Sequence, residues 1–174
     1  MEIHQAAALI RTPLVDWARP QSWCDLGCGS GTFTEALASL LAPGSTIYAV
    51  DRDQKVLKLI PDRTNGSNVQ KIFGDISSPV LRLPAVDGIL MANSLHFVRA
   101  QVSLLSRLLS LTRQFLIVEY DRMLPNPWGP YPIGFNKLRK RFGEVGVKHV
   151  QKLTTYPSRF GGDIYSAFAT TAES

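Results

Sequence analysis

The chain has little cysteine and no long apolar run. Its two cysteines, Cys24 and Cys28, have no second Cys/His pair nearby, so we predict no metal site and two buried, reduced thiols. Reduced thiols fit a reducing compartment. The N-terminus also lacks a basic segment followed by an apolar run, and every apolar stretch is shorter than the roughly 18 residues of a membrane span. We therefore expect a cytoplasmic protein without a membrane partner.

Neither sign of charge is in large excess. Lysine and arginine together number 19 against 14 acidic residues, giving a formal net charge of +5. Such a moderate excess favours polyanionic partners only slightly. With 45% hydrophobic and 19% charged residues, the composition is that of an ordinary globular domain. The length predicts a single domain over residues 1–174.

The strongest pattern in the chain is the glycine-rich segment 22–34. A strand-like stretch runs into Gly27, Gly29 and Gly31, and a helix-like segment follows. Glycines spaced in this way suit a tight turn after a parallel strand, where a positive φ or close backbone approach excludes a side chain. The amides of such a turn can hold a polar or anionic ligand group. Because Thr32 replaces the third glycine of a dinucleotide fingerprint, a nicotinamide dehydrogenase is the least favoured function.

Strand-like and helix-like patterns alternate along the chain, which predicts a parallel sheet with crossover helices. Residues 1–21 predict an N-terminal helix that Pro13 would end or kink. The predicted strands are 22–26, 46–50, 69–73, 87–91 and 114–120, and the predicted helices are 32–41, 54–60 and 102–111. The segments 62–68 and 74–86 are predicted as connections, the second with at most a turn or two of helix.

The composition of the chain changes after residue 120, where prolines become frequent. A proline-rich loop over 123–135 carries Trp128, Tyr131 and Phe135, and a loop of this length is more often functional than idle. These aromatic residues are substrate-side candidates, either as a wall for an acceptor or as the cover of the next helix. That helix is predicted over 134–142, and strands 147–156 and 163–170, joined by 157–162, predict a closing hairpin.

The motif Asp25-Leu-Gly-Cys-Gly-Ser-Gly31 resembles motif I of the class I S-adenosylmethionine-dependent methyltransferases, of the small single-domain type 11/25. Later segments match that family in order over residues 22–120. The resemblance implies an α/β, Rossmann-like, doubly wound sheet of seven strands in the order 3-2-1-4-5-7-6, with strand 7 antiparallel. It also implies S-adenosyl-L-methionine as cofactor and S-adenosylhomocysteine (SAH) as product. Residues 22–120 would form the cofactor-binding core and 121–174 the substrate side.

Polar residues at the predicted strand ends are the cofactor-site candidates. A carboxylate at Asp51 can accept ribose hydroxyls, although a strand-end Asp can instead cap the next turn. The resemblance implies that Asp75 accepts the adenine amino group, with a plain Asp turn as the alternative, and that Asp25 lies near the methionine ammonium. The predicted cofactor-binding residues are Asp25, Gly27, Cys28, Gly29, Ser30, Gly31, Asp51, Arg52, Gly74, Asp75, Ile76, Asn93 and Ser94.

The segment 93–97 reads Asn-Ser-Leu-His-Phe and resembles the motif IV region of small-molecule methyltransferases. It is not the Asn/Asp-Pro-Pro-Tyr/Phe motif of enzymes that resemble this family and methylate exocyclic amines or glutamine. His96 is a candidate general base for a substrate hydroxyl, because imidazole exchanges protons near neutral pH. The alternative is a structural histidine bonded to backbone.

Three functions follow from these patterns. The first is a methyltransferase with an unidentified small-molecule acceptor, for which a homodimer is one assembly option. The second is an RNA or protein methyltransferase that uses the basic cluster on the helix 137–141, formed by Lys137, Arg139, Lys140 and Arg141. A solvated helix face is the ordinary explanation of that cluster. The third is a non-catalytic interaction module with the methyltransferase fold.

Overall fold

The computed structural model describes residues 1–158 and 163–172. The helices are α1 (Ile3–Ile10), α2 (Thr32–Ala38), α3 (Gln54–Leu57), α4 (Gln101–Leu108) and α5 (Phe135–Glu144), with a 3-10 turn at Leu95–Phe97. The strands are β1 (Ser22–Leu26), β2 (Thr46–Asp51), β3 (Arg63–Thr64), β4 (Ser67–Phe73), β5 (Gly88–Ala92), β6 (Gln114–Tyr120), β7 (His149–Tyr156) and β8 (Ile164–Thr170). Of the predicted connection 157–162, residues 159–162 lie outside the described part.

All eight described strands form one sheet in the order β3-β4-β2-β1-β5-β6-β8-β7. The five strands β4, β2, β1, β5 and β6 pair in parallel, and β8 runs antiparallel to both β6 and β7. The predicted seven-strand order and its antiparallel strand are therefore confirmed. Because β4, β2, β1, β5 and β6 run in the same direction, their carboxyl ends lie along one edge of the sheet.

The extra strand β3 corrects the prediction that 62–68 is a loop. Residues Arg63–Thr64 pair antiparallel with the start of β4. The turn between them is Asn65-Gly66, and both residues adopt positive φ, 47° and 81°. An Asn-Gly pair of this kind favours a two-residue hairpin turn, so the signal was present in the sequence and was overlooked.

Several helices are shorter than predicted. α1 covers only Ile3–Ile10 and ends before Pro13, α2 ends at Ala38, and α3 ends at Leu57. The residues that follow α2 and α3 form turns, in which Leu40 and Ile60 are still buried. These positions are apolar because they are buried in the core, and their apolar side chains made the predicted helices too long. Within the described ranges, no helix has both the length and the apolar character to cross a membrane.

The core lies on both faces of the sheet. On one face, Trp23 of β1 packs with α1 and α2, for example with Leu37. On the opposite face, Cys24 packs with α4 and α5, where Leu105 and Phe142 are fully buried. Successive residues of one strand thus face two helical layers, which is the doubly wound arrangement and explains the near-continuous apolar strands.

Candidate active site

Three neighbouring cavities lie at the edge where the parallel strands end. The first cavity has a volume of about 340 Å³, the second about 820 Å³ and the third about 540 Å³. Gly27, Gly29 and Asn93 line both the first and the second cavity, and Tyr120 lines both the second and the third. The three cavities therefore adjoin one another, with the second between the first and the third. In open α/β sheets, ligands bind at this edge.

Most of the predicted cofactor residues converge on the first cavity. Nine of the thirteen line it: Gly27, Gly29, Asp51, Arg52, Gly74, Asp75, Ile76, Asn93 and Ser94. Cys28 and Ser30 line the second cavity. Gly31 and Asp25 line none of the three cavities. Gly31 lies against the side chain of Ile60, and Asp25 is buried in β1. Residues far apart in the sequence thus surround one space.

The three glycines of the loop serve different purposes. A Cβ on Gly27 would lie 2.5 Å from Cβ of Ser94, and a Cβ on Gly31 would lie 2.9 Å from Cγ1 of Ile60. A Cβ on Gly29 would have no neighbour within 4 Å. All three have positive φ, which glycine adopts without strain. Gly27 and Gly31 permit close packing, whereas Gly29 leaves open space beside the cavities.

Several loop amides already have partners within the protein. The N–H groups of Gly27 and Cys28 donate to the Val50 carbonyl at 2.8 and 3.0 Å. The Gly29 N–H donates to Oδ2 of Asp51 at 2.9 Å. These three groups are therefore not the ligand donors that the sequence suggested. They fix the loop to β2, and the open space beside Gly29 is what the loop offers to a ligand.

Asp51 and Asp75 both cap turns, as their alternative interpretation proposed. Oδ1 of Asp51 accepts the Asp53 N–H at 2.9 Å. Oδ1 of Asp75 accepts the N–H and the hydroxyl of Ser77 at 2.8 and 2.7 Å, and these hydrogen bonds lower the pKa of Asp75. Each carboxylate keeps further acceptor capacity at the first cavity. Their contacts to a ligand stay a prediction.

Asp25 is a buried carboxylate with one unpartnered oxygen. Its Oδ2 accepts the Thr34 hydroxyl at 2.7 Å, and its Oδ1 has no hydrogen-bond partner among the described residues. Burial raises the pKa of Asp25 to about 7, although the Thr34 hydrogen bond opposes the shift. A buried acceptor without a partner is costly, and a cation close by would relieve that cost.

Asn93 is a second unpartnered acceptor. It adopts a φ of 53° just after β5, in the left-handed region that asparagine tolerates better than most residues. Its Oδ1 is buried and has no partner in residues 1–158 or 163–172. Asn93 lies where the first and second cavities meet, so a ligand that spans both would pass beside this oxygen. Ser94 instead donates to the Leu26 carbonyl at 2.6 Å.

His96 forms a buried pair with Glu119. Nδ1 of His96 lies 2.6 Å from Oε2 of Glu119, and Oε1 accepts the N–H groups of Leu95 and His96 at 2.9 and 3.2 Å. Glu119 is 1% exposed and His96 is 6% exposed, and both line the third cavity. Because Glu119 holds Nδ1, the ring nitrogen left for a ligand is Nε2.

Glu119 is a residue of the site that was not among the predicted candidates. It follows four buried apolar residues in β6, Phe115 to Val118. A carboxylate is almost never fully buried unless it is paired, so a single Glu at the end of such a strand was a usable signal. The identity of its partner could not be predicted in the same way, because His96 lies on the 3-10 turn that follows the neighbouring strand β5.

Only one of the three aromatic substrate-side candidates lines the third cavity. That residue is Trp128. The Tyr131 N–H donates to the His96 carbonyl at 2.9 Å, and Phe135 packs edge-on against Tyr165 with ring centroids 5.7 Å apart. The remaining wall comes from Tyr120, Arg122, Asn126, Gly129, Pro132 and Ile133.

The basic cluster on α5 is partly engaged in the protein itself. Nζ of Lys137 donates to the Pro132 carbonyl at 2.7 Å, and Arg141 pairs with Glu144 at 3.0 Å. Arg139 and Lys140 are exposed and line a separate depression. In the part of the chain that the structure describes, no three His, Cys, Asp or Glu side chains lie together as metal ligands.

A family profile described as a methyltransferase domain matches residues 24–114, which is more than half of the chain. A demethylmenaquinone methyltransferase of Lactobacillus johnsonii is 35% identical over 63 residues. That match covers 36% of the present chain and 26% of the relative, so the chain aligns with only about a quarter of that protein.

Solved structures, two of them of methyltransferases, share the fold. The magnesium protoporphyrin IX methyltransferase of Synechocystis PCC 6803, solved with bound SAH, aligns with a TM-score of 0.73 at 16% identity over 97% of this chain and 81% of that one. Mitomycin 7-O-methyltransferase aligns with a TM-score of 0.68 at 16% identity, over 97% of this chain and 53% of that one. The YcgJ protein of Bacillus subtilis aligns with a TM-score of 0.73 at 11% identity, over 98% and 100%.

Proposed function

The chain belongs to the methyltransferase domain family, and on that basis we propose that it transfers a methyl group from S-adenosyl-L-methionine to a hydroxyl oxygen of a small molecule. The observation that carries the proposal is the first cavity, which nine of the thirteen predicted cofactor residues surround. The neighbouring third cavity supplies a separate place for the acceptor, with His96 in its wall.

The residues at the first two cavities fit this cofactor. Asp51 and Asp75 would accept hydrogen bonds from the ribose and the adenine, and Ile76 would contact the ring. The unpartnered Oδ1 of Asn93 lies where the first and second cavities meet, and the methionine ammonium would supply its missing donor. Asp25 lines neither cavity, so its buried carboxylate would act on the ammonium only through its charge. When bound, S-adenosylmethionine would supply an activated methyl group, with its sulfur as the leaving group.

The chain's own residues position the acceptor and remove its proton. Nε2 of His96 accepts the hydroxyl proton, since Glu119 holds Nδ1–H and thereby leaves the lone pair on Nε2. Glu119 also binds two backbone N–H groups of the same turn, so the imidazole is fixed in position. The third cavity would hold the acceptor oxygen beside Nε2 of His96.

A small molecule is the acceptor that the third cavity suits best. Its volume of about 540 Å³ is in the range of small-ligand sites. The names of the related proteins also specify small molecules: demethylmenaquinone, mitomycin and magnesium protoporphyrin IX. The basic cluster supports an RNA or protein acceptor less well, because Lys137 and Arg141 already have partners.

Thermal stability in the presence of ligands tests the cofactor. S-adenosylmethionine and SAH should each raise the melting temperature, and NAD should not. A ligand at a hundred times its dissociation constant adds about 2.7 kcal/mol of stability. Asp51→Ala should abolish the shift, whereas Asp62→Ala, which removes an exposed carboxylate paired with Lys71, should keep it. A folded protein without any shift would contradict the proposal and favour the non-catalytic module.

A second experiment tests the proton acceptor. In Glu119→Gln, the amide oxygen would still accept the Leu95 and His96 N–H groups, and the amide NH2 would then face Nδ1. The ring proton would move to Nε2, which could no longer act as a base. Methyl transfer to a panel of hydroxylated arenes should fall by about 10²–10⁴, with SAH affinity unchanged. Glu144→Gln on α5 is the control, and undiminished turnover in Glu119→Gln would rule out this role.

A further inference from the structure

The loop between β6 and α5, residues 121–134, has a fixed half and an exposed half. In the fixed half, three side-chain donors bind three successive carbonyls: Gln101 Nε2 to Tyr131 at 2.8 Å, Lys137 Nζ to Pro132 at 2.7 Å and Tyr165 Oη to Ile133 at 2.6 Å. Pro132 and Ile133 belong to the wall of the third cavity. That wall is therefore held in place by α4, α5 and β8.

The exposed half carries large apolar side chains. Met123 is 93% exposed, Leu124 is 80% exposed and Trp128 is 82% exposed. We call these three residues the apolar rim. These three residues lie within six consecutive positions of the chain, and exposed apolar side chains that lie close together mark binding surfaces more often than isolated ones do.

The apolar rim is continuous with the third cavity. Trp128 belongs to both, and Arg122 and Asn126 of the same loop also line the cavity. Met123 and Leu124 lie in the chain between those two lining residues. A ligand that fills the cavity and extends outward along this loop would therefore reach the rim.

The third cavity has the buried polar pair His96 and Glu119 in its wall, and the loop adds the polar side chains of Arg122 and Asn126. Tyr120, Pro132 and Ile133 give the cavity apolar walls. The guanidinium of Arg122 lies over the Tyr120 ring, with 5.2 Å from Cζ to the ring centroid. Oδ1 of Asn126 accepts the Trp128 N–H at 3.0 Å, so the buried His96–Glu119 pair and these apolar walls define the chemistry of the ligand that fits.

We propose that the acceptor is amphiphilic, with a hydroxyl-bearing head at His96 and an apolar tail that lies over the apolar rim. The position of the head rests on the proposed function. The tail does not, because the rim is apolar and exposed whatever reaction the site performs. Each methylene group that the rim removes from water should strengthen binding.

Binding of a para-alkylphenol series tests the tail. Phenol, 4-butylphenol and 4-octylphenol are titrated by calorimetry into wild type saturated with SAH. Affinity should rise by roughly fourfold for each methylene group that is covered. In the double variant Leu124→Ser/Trp128→Ser, this dependence on chain length should fall by at least half. Leu59→Ser, which changes a leucine that is 70% exposed on another part of the surface, should leave it intact.

The SAH titration separates this inference from the proposed function. Absence of SAH binding would contradict the proposed function itself. SAH binding combined with equal affinity for all three phenols, or with an unchanged chain-length dependence in the double variant, would overturn the amphiphilic acceptor alone. Sedimentation with phosphatidylcholine vesicles completes the test. Vesicle binding that the double variant loses, without any chain-length dependence in solution, would assign the rim to a lipid surface and also overturn the proposal.

Discussion

Gly27 and Gly29 lie two residues apart in one loop, yet alanine at each should have a different effect. At Gly27 the added Cβ would lie 2.5 Å from Cβ of Ser94, whose hydroxyl is itself bonded to the Leu26 carbonyl. At Gly29 the added Cβ would meet nothing within 4 Å. We expect Gly27→Ala to weaken folding and Gly29→Ala to weaken cofactor binding.

The magnitudes follow from two terms. A left-handed conformation costs an L-residue roughly 1–2 kcal/mol, and both glycines have positive φ. Overpacking against Ser94 adds about 1–3 kcal/mol at Gly27 only. Gly27→Ala should therefore lose roughly 2–5 kcal/mol of unfolding free energy, a large part of the 5–15 kcal/mol typical of a domain. Gly29→Ala should lose about 1–2 kcal/mol.

Urea unfolding followed by circular dichroism measures the first effect, and calorimetric titration with SAH measures the second. Gly29→Ala should bind SAH at least about tenfold more weakly, a change of about 1.4 kcal/mol. Gly143→Ala is the matched control, because its Cβ would also have no close neighbour but its φ is not positive. Wild-type stability of Gly27→Ala, or wild-type SAH affinity of Gly29→Ala, would refute this account of the loop.

Three further predictions concern buried polar groups. Burial raises the pKa of Asp25 to about 7, so the folded state binds an extra proton between about pH 4 and 7 and this carboxyl costs stability as the pH rises. Asp25→Asn should exceed wild type in urea stability by up to about 4 kcal/mol at pH 8, and the difference should vanish near pH 4; a pH-independent difference would contradict this. Tyr165→Phe removes the hydrogen bond to the Ile133 carbonyl and should cost about 1 kcal/mol in the same assay, whereas a neutral effect would mean that the wall of the third cavity does not depend on it. Burial raises the pKa of the Cys24 and Cys28 thiols, so iodoacetamide at pH 8 should modify them only after unfolding, and rapid labelling of folded protein would be inconsistent with the structure.

The local sequence pattern was sufficient to predict those elements whose position depends on one local requirement, such as burial on both faces or a positive φ. The apolar run of β6 and the glycine turn after β1 were placed to within a residue or two, because a strand buried on both faces is mostly apolar and the turn requires glycine at positive φ. The hairpin at Asn65-Gly66 was equally local and was overlooked. Helix ends were less predictable, since Leu40 and Ile60 owe their apolar character to burial in turns.

The candidate site divides in the same way. The residues of the first cavity follow the ends of successive strands, so a motif and a strand order were enough to group them. The pairing of Glu119 with His96 joins residues on neighbouring strands, and no spacing in the sequence records a 2.6 Å contact of that kind. The aromatic residues give an example of the opposite kind. Phe135 was predicted as a residue of the cavity wall, but it packs against Tyr165 instead.

The sequence by itself determined the family and the position of the glycine loop, because both depend on residue types at fixed spacing, and the resemblance to that family implied the strand order. Only the tertiary structure decided which side chains meet. It paired Glu119 with His96, left the oxygens of Asp25 and Asn93 without partners, and exposed Trp128 beside the third cavity. The physical reason is that hydrogen bonding and burial depend on distances between segments, and the packing of the whole sheet sets those distances.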